Sequence, residues 1–339
     1  MKKLNAALAC ALLFTLAANP ALACSWAAYA NGPVAIVART VDWYHSDEAV
    51  ARGCGRGLKT KAADSPNGLE YTAKYASIQI DSFGGLISDA LNEKGLQGSI
   101  LYLDGSTLPP VRADRKDVDP YKFIAYAVSN FATVKEVVDN LETLNFLPKA
   151  NALKDASGKV IATRPENWPF HYALADAGGD RVIIEFIDGK AKVYHGKDHD
   201  TMANEPEYLV HKTLEAFKYR AGGTISTIDR WGRARQYLKD MSERNVTDND
   251  RALMAMRGLL ASMWAGTDEI DRADNKVYPT QWGALADQKA GRYYFSRIES
   301  WCTEVYDFSM FDPSRPESVA LKAQPCPYAP LKAGGAGKK

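Results

Sequence analysis

Cys24 stands directly behind Ala21-Leu22-Ala23, the small-x-small pattern that a leader peptidase cuts. Cleavage after Ala23 would place a thiol and a free α-amino group on one residue. The amine has a reference pKa of about 7.7 to 8.0 and the thiol about 8.5, so near neutral pH the unprotonated amine can take the thiol proton, directly or through a water. While Ala23 is attached, that nitrogen is an amide and the base does not exist. The pattern alone leaves other roles open: a lipid anchor, a disulfide partner, or chance. A lipobox places Leu or a similar residue three before the cysteine, where this chain has Ala21 with Leu22 next.

The leader itself is read as residues 1–23. Lys2 and Lys3 supply the positive start, and the apolar run from Leu4 to Ala18 centres on Leu12, Leu13, Phe14 and Leu16. That run is too short to span a bilayer, and no other apolar run approaches the required length. The mature chain is therefore expected to begin at Cys24, to carry no transmembrane segment, and to be periplasmic or secreted. At 46% hydrophobic and 24% charged, with net charge +1, the full 339-residue chain is that of an ordinary globular protein able to bury a substantial core, as one large domain or two small ones. Lys and Arg are scattered without a basic block, which argues against a nucleic-acid partner.

Cys10 leaves with the leader, so the exported chain holds Cys24, Cys54, Cys302 and Cys326. If Cys24 stays free, at most one intramolecular pair forms; Cys302 with Cys326 is expected, because both sit near the C-terminus and would tie "QPCPYAPL" to the body. His195 and His199 in "HGKDHD" have a spacing that a metal could use, but no third ligand accompanies them, and a solvated hairpin exit is expected.

The elements that must position Cys24 begin with a hairpin: "CSWAAYA", the turn Asn31-Gly32-Pro33, and "VAIVARTVDW". "LEYTAKYASIQI" and "LISDALNEKGLQGSILYL" read as further strands, with Asn92 to Gly95 as a turn. Val134, Val137, Val138, Leu141 and Leu144 recur at helical spacing behind a Thr133/Glu136 capping box. "HYALADA", "RVIIEFI" and "KAKVYH" make a meander, "STIDRWGRARQYLKDMSERN" and "TDNDRALMAMRGLLASMWAG" two helices, and "QWGALADQ" and "RYYFSRIES" the last strands. Strand and helix blocks in this order predict an α+β protein with sheet layers covered by helices. The tail, residues 331–339, is expected to be disordered.

Cys24, "ARTVDW", "NEKGLQGSILYL", "TMANEPEY" and "DRWGRARQYL", in that order, resemble the choloylglycine hydrolase family, which includes bile salt hydrolases and penicillin V acylases. The resemblance covers nearly the whole mature chain and is most similar to the penicillin V acylase-like members of Gram-negative bacteria. It implies an N-terminal nucleophile (Ntn) hydrolase over residues 24–330 with a four-layer αββα fold. Cys24 would be the nucleophile; Arg39 would place positive charge beside the sulfur and lower its pKa; Asp42 would hold the α-amino group toward the thiol. Asn204 would donate its side-chain amide to the oxyanion, and Tyr102 its backbone N–H. Arg230 matches a distal active-site arginine, with Arg233 a less favoured register. Trp43 could wall the acyl pocket or pack in the core. Glu205, where a small residue is common, is expected to face out. The resemblance further implies a small acyl-amide substrate (penicillin V-type phenoxyacetyl amides or N-acyl homoserine lactones, with conjugated bile salts as alternative), no cofactor, and a homo-oligomer, often a tetramer.

Overall fold

The computed structural model describes residues 24–147, 151–154, 159–164, 169–271 and 275–328. The expected leader, residues 1–23, and the expected disordered tail, residues 331–339, lie outside the described residues. The chain opens with the expected hairpin, β1 (Ser25–Asn31) and β2 (Val34–Asp42), joined through Gly32, whose φ of +55° suits a residue without a Cβ. There follow β3 (Val50–Cys54), β4 (Ser77–Ser82), β5 (Leu86–Asn92) and β6 (Gln97–Tyr102), then helices α1 (Phe123–Asn130) and α2 (Val134–Leu141). A meander of β7 (Phe170–Ala175), β8 (Arg181–Ile187) and β9 (Lys190–His195) precedes the short β10 (Thr201–Ala203). Helices α3 (Tyr208–Ala216), α4 (Thr227–Glu243) and α5 (Asn249–Met263) come next, and β11 (Thr280–Asp287), β12 (Arg292–Arg297), β13 (Thr303–Asp307) and β14 (Ser318–Ala320) complete the chain.

Among the described residues, the two large sheets are antiparallel, and four two-stranded sheets accompany them. One large sheet runs β10-β1-β2-β11-β12-β13 and the other β9-β8-β7-β6-β5-β4-β3-β14. Strand alternation sorts the side chains into layers. Trp26, Ala28, Val37 and Val41 meet Ile78, Ile80, Leu91, Leu101 and Ile183 between the sheets. Ala27, Tyr29, Ile36 and Ala38 point the other way, onto Ala234 and Leu238 of α4 and Met256, Leu259 and Met263 of α5. The second sheet turns Ile100, Tyr172, Ile184 and Phe186 onto Phe123, Ile124, Val134 and Val137 of α1 and α2. The order is helix, sheet, sheet, helix, the αββα arrangement that the resemblance implies. Each fully buried Leu, Ile or Phe in these layers contributes about 1.5 to 3 kcal/mol over its exposed state.

Because both faces of the first sheet are covered, every residue of β2 is buried and its sequence, "VAIVARTVD", shows no polar alternation. Arg39, Thr40 and Asp42 are therefore polar groups inside a core strand. At Gly283 of β11 an added Cβ would lie 2.8 Å from the Trp264 ring, so glycine lets the end of α5 approach the sheet.

Helix α2 has the Thr133/Glu136 capping box with both reciprocal bonds present. It ends at Leu141, short of the expected Leu144, because Leu144–Phe146 instead pairs in parallel with Lys116–Val118. The Cys302–Cys326 disulfide forms as expected, while Cys24 and Cys54 are free. Among the described residues, no helix is long and apolar enough to cross a membrane.

Candidate active site

The β1 register places Ser25 opposite Thr40 of β2 and Ala203 of β10. One step earlier along both ladders, Cys24 lies between Val41 and Asn204. Alternation sends its side chain into the layer between the sheets with Trp26, on the face that Arg39 also occupies. Asp42 projects from the opposite face of β2, toward the helices.

Each polar residue of β2 is held from a distant segment. Arg39 donates from Nη2 to the Ile100 carbonyl, and its Nε lies 3.6 Å from Asp89 Oδ2. Asp89 in turn accepts from Gln97, Ser99 and Tyr293; burial pushes its carboxyl up to about 6 against the pull of Arg39. Asp42 accepts from Arg230 Nη1 at 2.6 Å, both side chains fully buried, and from Thr280 on its other oxygen. Burial also raises Asp42, with Arg230 opposing.

The Cys24 thiol differs from the sequence expectation. Burial pushes its pKa above the ordinary value, and the lowering by Arg39, a hydrogen bond from the Asp42 backbone and Arg230 does not overcome it. Arg39 is placed beside the sulfur as expected, but desolvation wins. In this chain the Cys24 nitrogen is still an amide to Ala23.

Asn204 is fully buried, and neither side-chain amide atom has a partner among the described residues. Burial lowers the pKa of His211 to about 4, so its ring is neutral, and Nε2 donates to the Asn204 carbonyl at 3.3 Å. Arg39 Nη1 and Arg230 Nε and Nη2 are likewise buried without hydrogen-bond partners among the described residues. An unmet buried polar group costs about 1 to 3 kcal/mol. Asn204, Arg39 and Arg230 thus each keep a buried donor without a hydrogen-bond partner among the described residues.

The direction of the Tyr102 N–H follows from strand register. Leu103 N–H bonds the Pro169 carbonyl, which makes the neighbouring Tyr102↔Phe170 pair a non-hydrogen-bonded one. The Tyr102 N–H is thus directed away from β7, to the same edge as the Ile100 carbonyl that Arg39 holds. Pairing of β5 with β6 runs from Leu91↔Gln97 to Asp89↔Ser99.

Cys24, Arg39, Asp42, Trp43 and Tyr102 line one cavity of about 50 Å³, together with Phe83, Leu86 and Phe170. Trp43 packs with its ring 6.2 Å from Phe83 and 6.3 Å from Tyr102. Phe83 has a φ of 54°, an uncommon conformation for a bulky residue, and is held there by its N–H bond to the Asp47 carbonyl. A much larger groove, about 520 Å³, lies between α3 and α4, but contains none of these residues. The chemistry favours the smaller cavity.

The structure thus brings the sequence-predicted residues together. Arg230, rather than Arg233, reaches Asp42; Arg233 bonds the carbonyls of Ser262, Gly222 and Thr224. Glu205 corrects its expectation: it is buried, and its Oε1 accepts the backbone N–H of Asp104. His195 pairs with Asp180 and His199 bonds the Tyr208 hydroxyl; no metal-holding cluster occurs among the described residues. Sequence reading missed Thr280, Asp89, Phe83 and Phe170. Only Asp89 had a local signal, as an acid inside the apolar strand "LISDALN".

The family model for linear amide C-N hydrolases, choloylglycine hydrolase family, matches residues 27–312. The chain belongs to the choloylglycine hydrolase family. As a member, it is a linear amide C–N hydrolase of the penicillin V acylase and bile salt hydrolase type. A penicillin V acylase of Pectobacterium atrosepticum is 29% identical over 314 residues, spanning 84% of this chain and 81% of that protein. The solved penicillin V acylase of Agrobacterium tumefaciens superposes with a TM-score of 0.75 at 23% identity, covering 88% of this chain and 92% of the other. A conjugated bile acid hydrolase variant from Clostridium perfringens gives a TM-score of 0.73 at 16% identity, covering 92% and 100%. These structures share the Ntn-hydrolase fold with this family member.

Proposed function

We propose that the mature chain is an exported cysteine amidohydrolase whose nucleophile is Cys24, acting on phenoxyacetyl amides of the penicillin V type and on N-acyl homoserine lactones. Release of residues 1–23 frees the α-amino group, which Asp42 orients and which takes the thiol proton. Sγ then bonds to the amide carbon while the carbonyl π electrons move to oxygen, facing the Asn204 amide and the Tyr102 N–H. As the C–N bond breaks, its electron pair and the proton on the α-ammonium go to the leaving amine. Water adds to the acyl-thioester, the acid leaves, and the thiol and amine are restored.

The observation that carries the substrate reading is the cavity at Cys24, walled by Trp43, Phe83, Tyr102 and Phe170. A narrow slot of aromatic faces suits a flat aryl group or a thin acyl chain better than a rigid fused-ring steroid. Export is supported by the leader pattern and by the Cys302–Cys326 disulfide, which persists in an oxidising compartment. The family resemblance supports a homo-oligomer.

The test is the initial rate of primary-amine release by protein beginning at Cys24, with penicillin V, a long-chain acyl homoserine lactone and glycocholate compared, and Cys24→Ala as blank. Turnover of the first two above glycocholate, absent in the blank, is expected. Wild-type rates in Cys24→Ala would remove the nucleophile, and preference for glycocholate would replace the substrate reading with a bile salt one.

A further inference from the structure

Asn204 is followed by a buried carboxylate, an arrangement that an oxyanion site would be expected to avoid, since negative charge beside a developing oxyanion opposes it. Glu205 does not project to solvent to escape that conflict. Its Oε1 accepts the Asp104 N–H at 2.5 Å. Asp104 Oδ1 accepts the Tyr102 hydroxyl at 2.9 Å, two residues back along the chain. The Glu205 carbonyl accepts from Thr227 Oγ, and Thr227 opens the helix that carries Arg230.

Glu205 therefore touches three segments at once: the exit of β10 with Asn204, the exit of β6 with Tyr102, and the start of α4. The first two belong to different sheets, and backbone ladders do not set their separation. We propose that Glu205 is a positioning residue, whose carboxylate fixes the distance between the Asn204 amide and the Tyr102 N–H. This rests on the oxyanion reading of those two groups. The clamp acts only through donor geometry, and misplacement by about 1 Å can cost about 100-fold in rate.

The test compares variants of the mature enzyme on the fastest of the three amides named above. Glu205→Ala is expected to lower kcat about 10- to 100-fold with KM changed less than about threefold. Glu205→Gln retains an acceptor for Asp104 and removes the charge beside the oxyanion, so its kcat is expected to equal or exceed wild type. Alkylation of Cys24 by iodoacetamide, which needs no oxyanion donors, should be unchanged in both. The Asn204→Ala/Glu205→Ala double variant should be no slower than Asn204→Ala alone, because the clamp has nothing left to position. If Glu205→Ala does not fold, Glu205→Asp keeps the charge and shortens the reach by one methylene, and it should show the same kcat loss.

Wild-type kcat in Glu205→Ala, an equal fall in alkylation, or additive losses in the double variant would overturn the clamp. Wild-type kcat in Asn204→Ala would instead remove the oxyanion reading itself. A large loss in Asn204→Ala with none in Glu205→Ala would remove only the clamp.

Discussion

Burial and charge pull the Cys24 thiol in opposite directions, and burial wins in the chain that still carries Ala23. The proposed removal of residues 1–23 would add a positive α-ammonium on the same residue, which favours the thiolate. The raised thiol means that less thiolate is present at a given pH before cleavage. Iodoacetamide alkylation of the leader-bearing chain is therefore expected to rise with pH through a midpoint above the ordinary cysteine value of about 8.5. In protein beginning at Cys24, the midpoint should be lower. Equal midpoints in the two forms would show that the α-amino group does not reach the sulfur. Arg39 contributes in both forms and so cannot produce such a difference; its other task is to hold the Ile100 carbonyl at the edge where Tyr102 follows.

At the scale of elements, the site is where a strand and a helix with different local rules converge. Strand β2 supplies Arg39 and Asp42 on opposite faces because side chains alternate, and helix α4 supplies Arg230 because its buried stripe faces β1 and β10. Helix α2 lies in the other helical layer, and its capping box is expected to serve stability alone. Thr133→Ala removes a side-chain acceptor from the Glu136 N–H and should cost about 1 kcal/mol in urea unfolding. Its kcat should match wild type; a parallel loss of activity would mean that the α1–α2 layer influences the site through the second sheet. The same helix illustrates a limit of periodicity: Leu144 fits the helical pattern, but its backbone groups are used in a parallel pairing with Lys116.

For the whole molecule, the C-terminal segment closes the architecture. After β13 the chain leaves the first sheet, adds β14 to the edge of the second beside β3, and is tied back by Cys326 to Cys302, 24 residues earlier. A crosslink closing a loop of that size stabilises by about 3 kcal/mol in the chain-entropy account. The Cys302→Ala/Cys326→Ala double variant is expected to lose about that much stability, measured by denaturant unfolding, and to keep its kcat. An unchanged unfolding midpoint would show that β14 and the packing around it already hold the segment.

The sequence by itself determined what depends on near neighbours in the chain: the cleavage pattern ahead of Cys24, the β1–β2 hairpin, the α2 capping box and the two long helices α4 and α5. The ordered motifs also made the family and its αββα fold legible. Only the tertiary structure decided that Arg230, rather than Arg233, meets Asp42, and that Thr280 completes that carboxylate's shell, across 188 and 238 residues of chain. It likewise decided that Glu205 turns inward to Asp104, 101 residues away. The physical reason is the same in each case. Local hydrogen bonding and side-chain period are set by neighbouring residues, whereas the partner of a buried charge is chosen by how layers stack, which a linear pattern does not encode.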